Sequence, residues 1–127
     1  MRPRLLFVCV ENSCRSQMAE AFARMAGCDE AHSAGSAPSG CINSRAVASM
    51  AELGYDLDTH RSTSASELPH DEFDVVVTMG CGDRCPAVAA KEREDWDIPD
   101  PKALEPDAFR AVRDTIRAHV AELLARF

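Results

Sequence analysis

Aromatic residues are scarce in this chain: one tryptophan, one tyrosine and five phenylalanines in 127 residues. A slot built to stack an aromatic substrate is poorly supplied by such a sequence. Long apolar runs are missing as well. LLFVCV, residues 5–10, meets Glu11 and Asn12, and nothing approaches the roughly 20 apolar residues of a membrane span. The same run, after the basic MRPR, is too short for a secretory leader, so we expect a cytoplasmic protein with no membrane partner. Positive charge is in deficit, 14 Lys and Arg against 21 Asp and Glu, for a net charge of −7. That argues against broad binding to nucleic acid, though not against one small anion site. There is no internal repeat, low-complexity tract or linker. The Gly-Lys-Ser/Thr signature of a nucleotide-phosphate loop is absent. The four histidines have no paired spacing, and each reads as structural or solvated. The Cys81/Cys85 pair lacks the second cysteine or histidine pair that zinc requires, so no metal is expected.

What is present points to one domain, residues 1–127, able to bury a core without disulfides or metal. LLFVCV reads as a buried parallel strand, and FDVVVTM at 73–79 as the strongest strand in the chain. EAHSAG at 30–35 is a short strand, and EDWDI at 94–98 a weak edge strand. Helices are expected over 16–26, with Met18, Phe22 and Met25 on one face, and from Asn43 or Ser44 to Leu53, with Val47, Met50 and Leu53 inward. A short helix is expected near 64–68. The last helix runs from Asp107 to the end, with Phe109, Val112, Ile116, Val120, Leu123 and Phe127 at helical spacing. Alternating strands and helices give an α/β fold: a four-stranded parallel sheet with helices on both faces. Ligands then bind at the carboxyl ends of the strands. The loops after the first, third and fourth strands all fall there.

The first of these loops has the strongest chemistry. Cys9 sits at a strand end, Arg15 follows after five residues, and Ser16 opens a helix. The backbone from Val10 through Glu11, Asn12, Ser13, Cys14 and Arg15 to Ser16 can curl so that its N–H groups converge on a tetrahedral oxyanion. The positive end of the helix dipole reinforces it, and the planar Arg15 fork pairs with two anion oxygens. The same field favours the thiolate of Cys9, which becomes a nucleophile, and Ser16 can donate a hydrogen bond to it. Asn12 suits the bend because Asn tolerates left-handed backbone. A buried strand-end cysteine beside a surface arginine is the alternative. The strand-loop-helix context favours the anion site.

VCVENSCRSQMAEAF resembles the phosphate loop of the low-molecular-weight protein tyrosine phosphatases and of the arsenate reductases built on the same fold. The resemblance continues through SAG at 33–35, VVVTMGCGDRCP at 75–86 and EDWDIPDP at 94–101. It implies Cys9 as nucleophile, Arg15 as oxyanion clamp and Asp100 as the general acid that protonates the leaving oxygen. Asp95 and Asp97 compete for that last role; the prolines on both sides of Asp100 fix its loop.

Phosphatase and reductase share a first step, formation of a Cys9 adduct. A phosphatase hydrolyses it with water; an arsenate reductase needs a second thiol. Cys81 and Cys85 flank GDR in a loop expected beside the first. By resemblance to the thioredoxin-coupled reductases, Cys81 would form a disulfide with Cys9 and Cys85 would resolve it. Those reductases place more residues between the two cysteines. The close spacing here is more similar to members served by mycothiol or glutathione with a redoxin such as mycoredoxin or glutaredoxin. No tightly bound cofactor is implied, only an external thiol reductant, thioredoxin or one of these systems. Arsenate is the expected substrate, and phosphate a competing oxyanion. Gln17, where the phosphatases have proline, and Lys102, where many have tyrosines, favour the reductase; HRS at 60–62 is phosphatase-like. The alternatives are a small cysteine phosphatase and, in another class, a thiol redox sensor or arsenite-binding protein without turnover. An acid such as Asp100 has no purpose in mere binding.

The remaining thiols read as packing at Cys14 and Cys28. Cys41 borders the site as a spare thiol at most. Asn12 and Glu20 match part of a potassium site of some thioredoxin-coupled members, but Thr63 stands where an acid is expected, so Glu20 reads as a surface glutamate.

Overall fold

The computed structural model describes residues 3–68, 72–80, 88–101 and 103–127. Strands β1 (Leu5–Cys9) and β3 (Phe73–Thr78) form the centre of one sheet, with β2 (Ala31–Gly35) and β4 (Ala90–Asp95) at its edges in the order β2-β1-β3-β4. All three pairings are parallel. LLFVC and FDVVVT suit the centre because their apolar side chains are at home on both faces of a buried sheet; every residue of β1 is buried.

One face, carrying Leu5, Phe7, Cys9, Val75 and Val77, packs against helices α1 (Arg15–Met25), α2 (Ser44–Ala51) and α3 (Pro106–Leu124) through Met18, Phe22, Met50, Phe109 and Ile116. The other face, with Leu6, Val8, Ala34 and Val76, is covered by Ala65, Leu68 and Val88 around a short 3-10 turn at Ala65–Glu67. Among the described residues, no helix is long and apolar enough to cross a membrane.

The helices start where capping chemistry allows. Asn43 accepts from the N–H groups of Arg45 and Ala46 and so caps α2. Pro106 supplies the fixed φ of the first turn of α3. The α1 N-terminus is different: no side chain caps it and no acidic residue occupies its first turn. Its N–H groups are therefore left for something else.

Two expectations shift. The fourth strand is KERE-centred, at Ala90–Asp95, and not EDWDI. It lies at a sheet edge with mostly exposed side chains, so apolar content does not mark it. The buried Trp96 and Ile98 are the anchors of the loop that follows. Helix α3 ends at Leu124, and Phe127 is exposed; Met25, at the end of α1, is exposed too.

Candidate active site

β1 delivers Cys9 to its carboxyl end, paired with Gly35 of β2. A Cβ at Gly35 would lie 2.6 Å from the Val10 carbonyl, so only glycine lets the end of β2 press against the loop. The loop is turned by its carbonyls. Val10 accepts from the N–H of Ala37, Glu11 from those of Ser39 and the hydroxyl of Ser62, and Ser13 from the N–H of Asn43. The Asn12 carbonyl accepts from Gln17 Nε2 at 3.0 Å, and that of Cys14 from the Met18 N–H at 2.9 Å. Among the described residues every peptide bond is trans. In a trans peptide the carbonyl and the next N–H point opposite ways. Five carbonyls turned outward therefore turn the N–H groups of Glu11, Asn12, Ser13, Cys14 and Arg15 inward, over Cys9. Asn12 makes this curl possible with φ 50.

Beneath the curl, Cys9 Sγ lies 2.9 Å from Ser16 Oγ, and Asn12 Nδ2 donates to that same Oγ at 2.7 Å. Asn12 Oδ1 accepts from the backbone N–H of Thr63 at 2.7 Å, which fixes the amide so that its NH2 faces Ser16. That leaves the Ser16 proton free to point at sulfur, and against a Cys9 thiolate, which has no proton to give, Ser16 is the donor.

Arg15 closes the other side. Its guanidinium is buried, donates from Nη1 to the Ile98 carbonyl at 3.0 Å, and holds Nη2 4.0 Å from the Asp100 carboxylate. Gly80, just past β3, lies flat against it. Cys9, Val10, Glu11, Ser13, Cys14, Arg15, Ala37, Gly80 and Asp100 line an open cleft of about 550 Å³. Thiol, inward N–H groups, helix N-terminus, arginine fork and carboxyl all meet there. Such a cleft can seat a tetrahedral oxyanion against a sulfur nucleophile with an acid in reach.

Of the expected site residues, Cys9, the loop 10–16 and Asp100 come together. Asp95 instead accepts from Thr78 at the end of β4, and Asp97 does not line the cleft. Cys81 and Cys85 lie outside the described residues, as do His70 and Lys102. The Cys14 thiol is pushed up to about 12, first by burial. Cys28 is fully buried against the Pro3 carbonyl, and Cys41 is exposed and does not line the cleft. Glu20 is no surface glutamate: it accepts from Ser33 at 2.6 Å and Arg24 at 2.8 Å with little exposure. Gly80, the Ile98 carbonyl and the Thr63 N–H escaped the sequence reading. Two of these are backbone groups that no side-chain pattern marks.

The model of the low molecular weight phosphotyrosine protein phosphatases matches residues 4–127. A Synechocystis protein named glutaredoxin arsenate reductase is 35% identical to this chain, covering 97% of each. A solved structure of an arsenate reductase in the phosphate-binding state superposes with a TM-score of 0.87 at 36% identity, covering 99% of this chain and 98% of the other. A Corynebacterium glutamicum thioredoxin-dependent arsenate reductase superposes at 0.76 with 32% identity, over 96% of this chain and 60% of the other.

Proposed function

The chain belongs to the low molecular weight phosphotyrosine protein phosphatase family, and on that premise we propose that it reduces arsenate to arsenite. The observation that carries the proposal is the cleft in which Cys9, the inward loop 10–16, Arg15 and Asp100 converge. Arsenate seats its oxygens on the loop N–H groups and the Arg15 fork. The Cys9 thiolate, stabilised by the Ser16 hydroxyl, attacks arsenic, and Asp100 protonates the oxygen that leaves as water. A second thiol, assigned to Cys81, then attacks Cys9 sulfur. The sulfur–arsenic bond breaks, its electron pair stays on arsenic, and arsenite departs. The product is a Cys9–Cys81 disulfide, which Cys85 resolves before an external thiol restores the chain.

Two relatives with arsenate reductase names support this over the phosphatase. So does the lining: among the described residues the cleft has no aromatic side chain to stack a phosphotyrosine ring. Tyr55 is bonded to His60 elsewhere, and Trp96 is buried. The relatives' names point to redoxin-class electron donors, glutaredoxin in one and thioredoxin in another. The deciding experiment supplies arsenate with thioredoxin, and separately with glutathione or mycothiol plus the matching redoxin, and assays arsenite. One of these systems supports turnover; p-nitrophenyl phosphate is hydrolysed poorly. No arsenite from any system, with rapid phosphate release, would overturn the proposal.

A further inference from the structure

Behind the loop lies a buried polar side chain that the chemistry above does not use. Gln17 is fully buried. Its Nε2 donates to the Asn12 carbonyl at 3.0 Å, to Asn12 Oδ1 at 3.0 Å and to the Arg61 carbonyl at 2.9 Å. The two amide protons are shared among these three oxygens, which sets the nitrogen end of the amide toward Asn12 and Arg61 and turns Oε1, an acceptor, the other way. Oε1 accepts from His60 Nδ1 at 2.9 Å, so the imidazole proton sits on Nδ1 and Nε2 is an acceptor. Tyr55 supplies the hydroxyl to that Nε2 at 2.6 Å. Burial pushes the His60 pKa down, which keeps this neutral tautomer.

With Cys9 as the thiolate, every donor in the series faces the same way: Tyr55 to His60, His60 to Gln17, Gln17 to Asn12, Asn12 to Ser16, Ser16 to Cys9. The series begins in a second cavity, of about 500 Å³, that Tyr55 and His60 line with Glu20 and Arg24. It ends on the nucleophile. Hydrogen bonds aligned in one direction polarise one another, and each fixes the rotamer of the next. We infer that Gln17 is a positioning residue for Cys9: it locks Asn12 so that the Ser16 hydroxyl presents its proton to sulfur, with His60 and Tyr55 fixing the amide of Gln17 in turn. The charged and titratable groups around this path are Glu20, whose Oε2 is 3.8 Å from His60 Nδ1, with Arg24, His32, Tyr55, Arg61 and Glu67 at one end and Glu11, Cys14, Arg15 and Asp100 at the other.

The inference rests on Cys9 being the nucleophile, so its test reads Cys9 alone. Iodoacetamide alkylation of Cys9 is followed by peptide mass spectrometry at pH 7 and in strongly alkaline buffer. In the unaltered protein Cys9 reacts fastest of the six cysteines; if it does not, the nucleophile assignment itself fails. Gln17→Met keeps the volume and removes both ends of the bond. We expect Cys9 alkylation about tenfold slower at pH 7, the size of one weakened charge-assisted hydrogen bond. The loss disappears at alkaline pH, where the thiol ionises without help. Tyr55→Phe, which removes one hydroxyl at the far end and leaves the core intact, shows the same signature at about twofold. Unchanged alkylation at pH 7 in both variants overturns the inference. So does an equal slowing at both pH values, which marks a merely disturbed loop.

Discussion

Gly80 is where the oxyanion clamp can be moved without touching the clamp. A Cβ at Gly80 would lie 2.4 Å from Arg15 Nη1, 3.3 Å from Cζ and 3.5 Å from Nη2. Ordinary contact needs roughly 3.5 Å, so in Gly80→Ala the guanidinium retreats by about 1 Å. That same Nη1 is tied to the Ile98 carbonyl, so its displacement strains that bond and misaligns the fork. A charge-assisted hydrogen bond is worth about 1.5–3 kcal/mol, which predicts phosphate binding weaker by about 10- to 150-fold. Gly80 also has φ +76, so alanine there adds a backbone strain of about 1–2 kcal/mol. Gly54 separates the two effects. Its φ is +83, and nothing lies within 4 Å of a Cβ built on it. Both variants should lose a few degrees of Tm, roughly 3–10 °C, but only Gly80→Ala should lose phosphate affinity in isothermal titration calorimetry. Native affinity in Gly80→Ala, or equal weakening in Gly54→Ala, would refute the claim that Arg15 is seated on that glycine.

Asp100→Asn keeps the shape of the cleft and removes the acid. Arsenite formation should fall by about 10²- to 10⁴-fold with arsenate KM changed little, as steady-state kinetics would show. Asn12→Ala places alanine at φ 50 and strands the Thr63 N–H, a loss of about 2–4 kcal/mol in urea unfolding. Ile116→Ala, fully buried under the sheet, should cost about 2–5 kcal/mol in the same assay. Glu52 ties α2 to α3: the bonds of Arg110 and then Arg113 hold its carboxyl down from 4.5 to about 2. A lowered folded value stabilises the protein above the unfolded one and is lost as pH falls. Glu52→Gln should therefore have a lower Tm than the unaltered protein at pH 7. The gap should close as pH drops from 4.5 towards 2.

The sheet centre was legible because β1 and β3 are buried on both faces, and burial leaves a run of Val, Leu and Phe in the sequence. β4 left no such mark, since its placement depends on β3 beside it and its side chains face water. Trp96 and Ile98 imitated a strand while serving a loop. The oxyanion loop was legible for a different reason. Cys9, Arg15 and Ser16 must be close in sequence to share one turn, so the spacing itself is the signal. Gln17 was noticed only as a departure from proline. Its partners His60 and Arg61 are more than 40 residues away, and a polar residue looks exposed until the fold closes over it.

Phosphate and arsenate have the same shape and charge, so a loop of N–H groups and one guanidinium accepts both. What separates a reductase from a phosphatase is the fate of the Cys9 adduct, and that turns on which thiol can reach Cys9 sulfur. Among the described residues Cys14 is the one other cysteine on the cleft. Burial holds its thiol up to about 12, so at neutral pH it is protonated and a poor attacker. Cys28 is sealed beneath Pro3, and Cys41 lies off the cleft. The chain leaves β3, passes Gly80 on the cleft wall, and the next residue in sequence is Cys81. Cys14→Ser should accordingly keep arsenite turnover within about threefold, while Cys81→Ser should stop multiple turnover. Loss in Cys14→Ser with native rates in Cys81→Ser would place the second thiol inside the loop and overturn the assignment.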